Sequence, residues 1–432
     1  MTNPVYARHW TNWGTNQESV ADVLTPASAD EIAATVTETA AAGRRVKVVG
    51  SGHSFTDIAV ADDQRMVLHR MNRFVSIDGP LVTVQAGMTL RTLNTVLHGH
   101  GLAMPNLGDI DAQTVAGAIA TGTHGTGLGH GTIASCVEAV TLVTGLGKIE
   151  RFTADAPELK AIGVGLGALG IITEVTLRCV PAFTLHADER PMLLTEMLAG
   201  LDEWIPGNDH IEFFWYPYTD RGQLKRNNRV DVDDRPLSRF RGWLDDEFLS
   251  NTVWQGVCKV GQRMPRTVPA LNGIAARALS ARAYTGPSAG VFCTSRRVRF
   301  TEMEYEIPRA ALPEVLGAFP ALFDRLPFRV QFPVEVRFTG PDDLWMSHGY
   351  DRESAYIAVH QYLGTEYEPY FRAVEELCAA QGGRPHWGKL HYRNAASLRP
   401  VYPRFDDFLA IRDRFDPSRI FANAYLNRVL GE

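Results

Sequence analysis

Residues 46–54 read Val46-Lys47-Val48-Val49-Gly50-Ser51-Gly52-His53-Ser54, an apolar run that ends in glycines and small hydroxyl side chains. A strand that breaks in this way exposes consecutive backbone N–H groups, and such a nest binds anions, most often a phosphate or pyrophosphate. A phosphate loop needs no histidine. His53 therefore either packs locally or does chemistry beside a bound ligand.

The composition is that of a soluble globular protein with more than one core. The chain has 432 residues, of which 45% are hydrophobic and 21% are charged, so two domains are expected. Its formal net charge of −6 argues against a nucleic-acid binder or a binder of acidic membranes, which usually carry a basic excess. We expect a small-molecule partner.

Targeting and redox signals point to the cytoplasm. Residues 1–8 contain no apolar signal-peptide core, and no window approaches a membrane-spanning apolar run, so we expect a cytoplasmic protein without an integral membrane segment. The five cysteines are widely spaced and form no CxxC pair, which predicts reduced, mostly buried thiols and no metal or redox site. They are Cys136, Cys179, Cys258, Cys293 and Cys378.

Hydropathy patterns predict an α+β unit over the first 180 or so residues. After Pro181 the composition changes to a mixture of aromatic and charged residues. Strands and helices beyond that point would form a second domain. The predicted helices are 30–42, 89–98 and parts of the tail 402–430, and the predicted strands are 46–49, 81–87, 171–177, 300–307, 332–338 and 356–362.

A second glycine cluster lies at 105–131. The small apolar residues before Thr121 suit a helix packed closely against another backbone, and the Gly/Thr alternation after it suits a ligand-wrapping loop. An ordinary loop fits this segment equally well. Two such clusters in one domain favour a ligand, because a long phosphate-bearing cofactor needs several backbone contacts.

Residues 165–170, Gly-Leu-Gly-Ala-Leu-Gly, match the GxGxxG pattern of dinucleotide-binding folds. That fingerprint follows a strand and opens a helix, whereas the alternation at 171–177 predicts that a strand comes next. An NAD-dependent enzyme would rest on this match alone, and we expect no Rossmann fold.

Glu335 and Arg337 lie two residues apart on the predicted strand 332–338, so they share one face while the apolar residues beside them point into a core. An ion pair on an exposed sheet face explains this pattern at least as well. On a substrate platform, Arg337 would offer forked donors to a carbonyl or developing alkoxide. Glu335 would hold Arg337 in place and accept from substrate hydroxyls.

Two further candidates come from the end of the second half. Lys389 ends the segment 383–389, Gly-Arg-Pro-His-Trp-Gly-Lys, and could reach a cleft between domains, although a solvated lysine is the commoner case. His360 shares a strand face with Tyr362; it is by default a core or rim histidine and is kept among the catalytic candidates. No spacing typical of a metal site is present.

The motifs together resemble the aldonolactone oxidases of the vanillyl-alcohol-oxidase flavoprotein superfamily, which are L-gulono-1,4-lactone oxidases and dehydrogenases, with bacterial alditol oxidases as close relatives. The resemblance covers nearly the whole chain, and the order and spacing of the motifs make it specific. The matching segments are 9–13, 49–59, 104–108, 121–127, 166–172, 333–338, 383–389 and 421–426.

This resemblance implies a two-domain α+β flavoprotein. Residues 1–181, completed by 393–432, would form a PCMH-like FAD-binding domain, and residues 182–392 would form an α+β cap that binds the substrate. His53 occupies the position at which the family attaches the 8α-methyl group of FAD covalently, a role that suits a neutral, nucleophilic imidazole.

The resemblance also implies a set of FAD contacts. Gly108 and Asp109 would lie beside the flavin, and Ile172 on the adenine side. The pyrophosphate and ribityl contacts would come from Gly50, Ser51, Gly52, Ser54, Thr114, Gly117, Thr121, Gly122, Thr123 and His124.

For the substrate, the resemblance implies that Glu335 and Arg337 form the binding pair and that Lys389 is the cation near the reacting hydroxyl. The implied reaction is oxidation of the C2 hydroxyl of a sugar 1,4-lactone of the L-gulono type by hydride transfer to flavin N5, with an ascorbate-type product. Electrons would pass to O2 or to an artificial or cytochrome-type acceptor. Gly108 favours O2, because alanine there accompanies poor oxygen reactivity in plant galactonolactone dehydrogenases.

Two residues depart from the alditol-oxidase pattern. Asp109 replaces a serine and Tyr362 replaces a threonine of that group's pocket, which shifts the expectation from a polyol toward a lactone. The alternatives are an alditol oxidase acting on xylitol or sorbitol, a lactone dehydrogenase with a non-oxygen acceptor, and a flavin-binding scaffold without turnover. Retention of Glu335, Arg337 and Lys389 together argues against the scaffold.

Overall fold

The structure, a computed structural model, describes residues 7–294 and 296–432. Residues 1–6, with which the predicted FAD-binding domain begins, lie outside the described residues. Within this part, helices and strands alternate up to about residue 181, and one large sheet dominates the middle of the chain.

Two sheets come from the first part of the chain. One has the strand order Ala7–Thr11, Glu18–Leu24, Gln64–Met66 and Val46–Val48, with the first pair antiparallel and the other pairs parallel. The other is antiparallel, in the order Phe74–Asp78, Leu81–Gln85, Ile171–Arg178, Val137–Val143 and Ile149–Thr153. A short pairing joins Leu102–Ala103 to Val180–Pro181. Because residues 165–170 lead into a strand, the expected absence of a Rossmann helix at this motif is confirmed.

The middle of the chain forms an eight-stranded antiparallel sheet. Its residues alternate between a face packed on apolar helices and a face that carries charged side chains. The order is Arg282–Pro287, Thr184–Leu193, Arg221–Val230, His210–Trp215, Val334–Thr339, Ser354–Tyr362, Phe300–Pro308 and Arg384–Pro385.

Local sequence explains where the first helix begins and ends. The Ser28 side chain accepts from the Glu31 amide at 3.1 Å, which satisfies a free donor at the N-terminus of the helix Ala29–Ala41. Gly43 follows the helix with a φ of +64°, a conformation that favours glycine. The predicted helix at 30–42 is therefore confirmed to within a residue at each end.

The remaining α-helices lie between the strands in sequence or after the last of them. A π-helical stretch, Trp243–Val253, joins two of them. The others are Leu90–Gly99, Val115–Ala120, Glu158–Ile162, Leu194–Trp204, Arg239–Gly242, Trp254–Arg263, Val268–Ala278, Ser288–Phe292, Leu312–Arg325, Glu368–Ala380, Ala395–Leu398, Phe405–Phe415 and Ala424–Leu430. Short 3₁₀ turns lie at Asp57–Ala59, Ile133–Cys136, Pro265–Thr267, Arg309–Ala311 and Arg399–Val401.

Two large hydrophobic cores organise these layers. The first runs from Ile32 to Ala187 and is completed by later residues, including Trp387 and the C-terminal helices up to Leu430. The second lies between residues 197 and 378 and includes Val334, Val336 and Phe338 from the central strand of the large sheet. The division at 181 and 393 remains a prediction, and Trp387 packs into the first core before the second of these positions.

Cysteine burial agrees with the sequence expectation. Cys179, Cys258 and Cys378 are buried, Cys136 and Cys293 are half-buried, and all five are free thiols. In the described part of the chain, no helix has the length and apolar character needed to cross a bilayer.

Candidate active site

The loop at 50–54 has free backbone donors. Among the described residues, none of its amides donates to a protein acceptor, whereas the Gly52 carbonyl accepts from the Trp13 amide at 2.7 Å and the Ser54 carbonyl accepts from Asn12 Nδ2 at 2.9 Å. Gly52 has a φ of +70°. A run of unpaired amides on a loop held through its carbonyls is a donor set that fits a pyrophosphate.

The second glycine cluster packs directly against this loop. A Cβ added to Gly50 would lie 2.5 Å from Thr114 Oγ1, and Thr114 itself caps the helix Val115–Ala120 by accepting from the Gly117 amide at 3.2 Å. The sequence could not show this contact, because it depends on how distant loops meet. The two clusters therefore form one continuous surface, and residue 50 must be glycine for them to pack this closely.

The turn after that helix holds the other predicted cofactor residues. Thr121 Oγ1 donates to the Gly117 carbonyl at 3.1 Å, and Gly122 has a φ of +70°. A Cβ on Gly122 would lie 2.8 Å from His348 Nε2, a buried nitrogen that has no protein partner in the described residues. Free amides, glycines without room for a side chain and an unpartnered buried donor or acceptor together fit FAD.

Three predicted cofactor residues lie at the margins of this surface. Thr123 Oγ1 accepts from Gln113 Nε2 at 3.1 Å. A Cβ on Gly108 would lie 3.0 Å from the His124 carbonyl, so residue 108 faces the same turn. Ile172 is on the antiparallel sheet, opposite Leu142, and its contact with the adenine side stays a prediction.

The His53 loop also contacts the segment that carries Lys389. The Phe55 amide donates to the Gly388 carbonyl at 2.7 Å, and Thr56 Oγ1 donates to the Trp387 carbonyl at 3.0 Å. Burial, together with the positive charge of Lys389, lowers the pKa of His53 to about 4. The imidazole of His53 is therefore neutral at physiological pH.

A chain of charged groups continues from Lys389 across the large sheet. The Lys389 ammonium forms an ion pair with Glu302, and Glu302 Oε1 lies 3.4 Å from His360 Nε2. His360 Nε2 is 4.0 Å from Glu335 Oε2. Burial opposes ionisation of Glu302, but Lys389 and His360 lower its pKa below the usual range.

Arg337 is surrounded by carboxylates. Its Nη2 lies 2.6 Å from Asp109 Oδ1 and also contacts Glu335, and its Nε donates to Glu212 Oε2 at 3.1 Å. The contact with Glu335 is an ion pair without hydrogen-bond alignment, because Glu335 Oε1 has no hydrogen-bond partner in the described chain. Arg337 Nη1 likewise donates to no described acceptor, so this donor remains for a ligand.

The environment of Glu335 favours its protonated form. Burial raises the pKa of this carboxyl group above its usual range, and the negative charges of Asp109 and Glu212 act in the same direction against Arg337. Glu335 is buried, so the exposed ion pair considered from sequence is wrong for this strand. A buried carboxyl with a raised pKa beside a free guanidinium donor is suited to proton transfer.

Asp109 links the two halves of the site. It was expected beside the flavin, but its carboxylate pairs with Arg337 at 2.6 Å and with Arg296. Burial opposes its charge, yet Arg337 and Arg296 lower the pKa of Asp109. In the same cluster, Lys225 Nζ forms an ion pair with Glu212 Oε1 at 3.2 Å. One side chain from the glycine-rich half thus orients the guanidinium on the sheet.

Sequence reasoning missed the acidic residues on the neighbouring strands. Glu212 lies opposite Arg337 and Glu302 lies opposite His360 in the sheet register. A signal was present in residues 300–308, Phe-Thr-Glu-Met-Glu-Tyr-Glu-Ile-Pro, where glutamates recur with the period of a strand. Both glutamates are buried, which is rare for a carboxylate without a partner.

A histidine cluster lies on the same face of the sheet, around Glu304. His124 Nε2 is 3.3 Å from Glu304 Oε1, and His386 is near enough for the three groups to share an ion. However, His124 Nδ1 contacts the Gly125 carbonyl at 2.8 Å, and His386 Nδ1 accepts from the Gly388 amide at 3.0 Å. Neutral His386 therefore carries its proton on Nε2, which suits a hydrogen bond more than a metal.

Comparisons with known proteins agree with this arrangement. The family model described as D-arabinono-1,4-lactone oxidase matches residues 175–429, and a model described as FAD binding domain matches residues 20–153. An L-gulono-1,4-lactone dehydrogenase of Mycobacterium tuberculosis is 42% identical over 425 residues, which cover 98% of this chain and 99% of the relative. An alditol oxidase of a Streptomyces species is 32% identical over 446 residues, covering 97% and 98%.

Among solved structures, a solvent-stable cholesterol oxidase superposes with a TM-score of 0.85 at 19% identity and covers 99% of this chain and 98% of its own. At that identity the likeness concerns the fold alone. Together with the match to the FAD binding domain model, it confirms the fold class expected from the sequence, an α+β flavoprotein with an FAD-binding part and a cap.

Proposed function

Because this chain belongs to the D-arabinono-1,4-lactone oxidase family and is an FAD-dependent oxidoreductase of sugar lactones, we propose that it oxidises the C2 hydroxyl of an L-gulono-1,4-lactone-type substrate to an ascorbate-type product. FAD supplies the hydride acceptor, N5 of its isoalloxazine ring. The groups that bind, orient and deprotonate the substrate come from this chain.

One observation carries the proposal. The Phe55 amide donates to the Gly388 carbonyl at 2.7 Å, which joins the loop of His53 to the segment of Lys389. From Lys389 the ion pair with Glu302 leads to His360 and then to the Glu335 and Arg337 pair. A cofactor surface and a charged substrate face thus meet along one edge.

On the charged face, Arg337, Lys389 and Glu335 have different proposed roles. Arg337 has an unpaired Nη1, and with Lys389 it stabilises the substrate hydroxyl as that group loses its proton. Glu335 accepts this hydroxyl proton on its carboxylate, because its raised pKa gives the carboxylate basic character. Asp109 and Glu212 position the guanidinium through the contacts on Nη2 and Nε.

His360 connects the two cationic centres. It lies between Glu302 and Glu335, at 3.4 Å and 4.0 Å, and it contacts the Phe300 ring, with centroids 4.9 Å apart. In the proposed reaction His360 takes up the proton from Glu335 at Nε2, and the ionised carboxylate of Glu302 stabilises the imidazolium until the proton leaves to solvent. This role is separate from substrate binding, so loss of His360 should lower kcat more than it raises KM.

We further propose that His53 bonds covalently to the 8α-methyl group of FAD. A neutral imidazole is nucleophilic, and the pKa of about 4 keeps His53 neutral. After denaturation with acid, the flavin should remain with the precipitated wild-type protein and be released from His53→Ala. Release of all flavin from the wild-type protein would remove the covalent bond from the proposal.

O2 is the proposed acceptor because residue 108 is glycine. The family model carries the word oxidase, while the Mycobacterium relative carries the word dehydrogenase, so the names alone leave the acceptor open. A polyol substrate is the second candidate, since an alditol oxidase matches nearly the whole chain. Asp109 argues against a polyol substrate, because its carboxylate is larger than the serine that the alditol-oxidase pattern has at this position and leaves less space there.

Anaerobic bleaching of the flavin followed by air separates these possibilities. We expect L-gulono-1,4-lactone to reduce the flavin faster than xylitol or sorbitol, and we expect air to restore the yellow colour rapidly. Faster bleaching by a polyol would establish the alditol oxidase, and slow recolouring would establish a dehydrogenase. Flavin that no sugar bleaches would indicate a scaffold.

The domain division and location complete the proposal. We place an FAD-binding domain at 1–181 and 393–432 and a substrate cap at 182–392; the packing of Leu430 and its helix into the first core supports this. A cytoplasmic location is proposed because the five free cysteines suit a reducing compartment.

A further inference from the structure

A cationic cavity of about 350 Å³ lies outside the charged face that contains Arg337. Its walls come from the helix Trp254–Arg263, from the segment before the strand Phe300–Pro308 and from the end of the strand Ser354–Tyr362. The cations that line it are Lys259, Arg263, Arg297 and Arg299.

Few carboxylates neutralise these cations within the described part of the protein. Arg297 pairs with Glu247 at 2.5 Å. Among the side chains that the structure describes, Lys259, Arg263 and Arg299 have no carboxylate partner. The whole chain carries a net charge of −6, so this local excess of positive charge is not a consequence of composition.

The polar groups of the cavity are mainly hydrogen-bond donors. Ammonium and guanidinium groups donate only, and the amides of Gln255 and Gln262 add further donors. None of the described residues that line the cavity carries a carboxylate. Gln262 Nε2 donates to the Leu363 carbonyl at 3.3 Å, which holds one wall in place. An acceptor-rich group, an oxyanion, complements such a surface.

The cavity adjoins the proposed substrate face. Tyr362, which lines it, lies two residues beyond His360 on the same face of the strand and opposite Phe300 in the sheet. The Phe300 ring in turn contacts Trp13 and His360, with centroid distances of 5.2 Å and 4.9 Å. A ligand in the cavity would therefore lie beside the strand that carries His360.

We propose that this cavity is a second ligand site, which binds the carboxylate or phosphate group of a small molecule. Its volume suits a compact ligand of a few carbon atoms, and the forked guanidinium donors suit either oxyanion. Two sources share this chemistry: an open-chain sugar acid, into which a sugar lactone hydrolyses, and inorganic phosphate. The site does not depend on the reaction proposed above.

Calorimetric titration of the holoenzyme tests the proposal, with sodium gluconate and sodium phosphate as the two probes and chloride used to hold the ionic strength constant. We expect saturable binding of at least one probe to a single site. The tighter probe identifies the source. In Lys259→Gln/Arg263→Gln the dissociation constant should rise about tenfold or more, because two of the oxyanion's donors are lost.

The matched control is Arg266→Gln/Arg277→Gln, which removes the same charge from exposed residues outside the cavity. This variant should bind like the wild-type protein. Flavin content and melting temperature verify that both variants fold. Absence of saturable binding in the wild-type protein, or an equal loss in both double variants, would overturn the site in favour of general charge screening. Neither result depends on whether the enzyme oxidises a lactone.

Discussion

The two walls of the proposed active site are built from different atoms. The wall around His53 presents backbone amides and glycines, and Gly50 leaves no space for a Cβ beside Thr114. The opposite wall presents side-chain charges, with Arg337 held by carboxylates on neighbouring segments. The first wall is therefore sensitive to added atoms and the second to removed atoms.

Arg337→Ala removes the centre of the side-chain wall and has the largest expected effect. Lactone kcat/KM should fall by about 10²–10³-fold or more, because a charge-stabilising donor is lost. Flavin content should remain normal, since the glycine wall is untouched. Steady-state kinetics and the flavin absorbance measure both. Arg296→Ala is the control: it takes one cation from Asp109 but leaves Arg337, and its loss should be smaller. Near-normal turnover in Arg337→Ala would remove this residue from the site.

Gly50→Ala adds one methyl group to the backbone wall. Its Cβ would lie 2.5 Å from Thr114 Oγ1, so the two glycine-rich segments must separate and most of the bound flavin should be lost. The ratio of flavin to protein absorbance measures this. Gly99→Ala is the matched control, because no atom lies within 4 Å of its Cβ position, and it should retain its flavin. Full flavin content in Gly50→Ala would contradict a tight backbone wall.

Gly108→Ala makes a milder addition, with its Cβ 3.0 Å from the His124 carbonyl. We expect anaerobic bleaching by lactone to be nearly unchanged and recolouring in air to slow by about tenfold, because the methyl group takes space beside the proposed flavin position. Stopped-flow mixing with oxygenated buffer measures the rate. An unchanged rate of recolouring would show that residue 108 does not control the access of oxygen to the flavin.

The smallest effect concerns pH and His386, which lies near Glu304 on the charged face. Burial lowers the pKa of His386 from 6.5 to about 3, so between these pH values the unfolded chain binds a proton that the folded protein does not. This group therefore reduces stability as the pH falls from 6.5 toward 3, by up to about 1.4 kcal/mol per pH unit.

His386→Asn tests that assignment, because the Asn Oδ1 atom can still accept from the Gly388 amide. The free energy of unfolding of this variant should depend less steeply on pH across that window, while the two proteins remain similar near pH 8. Urea titrations at several pH values measure the slope. Equal slopes in both proteins would show that His386 titrates normally.

Local patterns predicted much of the fold. Capping by Ser28 and the turn at Gly43 set the first helix, and the alternation around Glu335 predicted both its strand and the shared face with Arg337. The glycines around His53 led to the prediction of an anion nest, and the unpaired amides of residues 50–54 fit that prediction. These features depend on residues within one element.

The missed parts of the site depend on sheet register. Glu212 meets Arg337 only because His210–Trp215 pairs with Val334–Thr339 in one particular alignment, and a shift of one residue would point Glu212 to the other face. Asp109 was assigned to the flavin because its chain neighbours belong there. Its carboxylate pairs with Arg337 of the large sheet, a contact between distant segments that no local pattern contains, and its place beside the flavin stays a prediction.

The completion of the first core by the C-terminal helices has a consequence for biosynthesis. The Val46 amide donates to the Ile420 carbonyl and the Gly145 amide donates to the Phe415 carbonyl, both at 2.8 Å. A growing chain on the ribosome therefore makes these early segments before the C-terminal residues that complete their core exist. The part of the chain that forms the first core therefore cannot complete its folding during synthesis, before the C-terminal residues have been made. A chain cut short before Phe405 would expose apolar residues of its earliest helices, which makes truncated products natural substrates for chaperones and proteases.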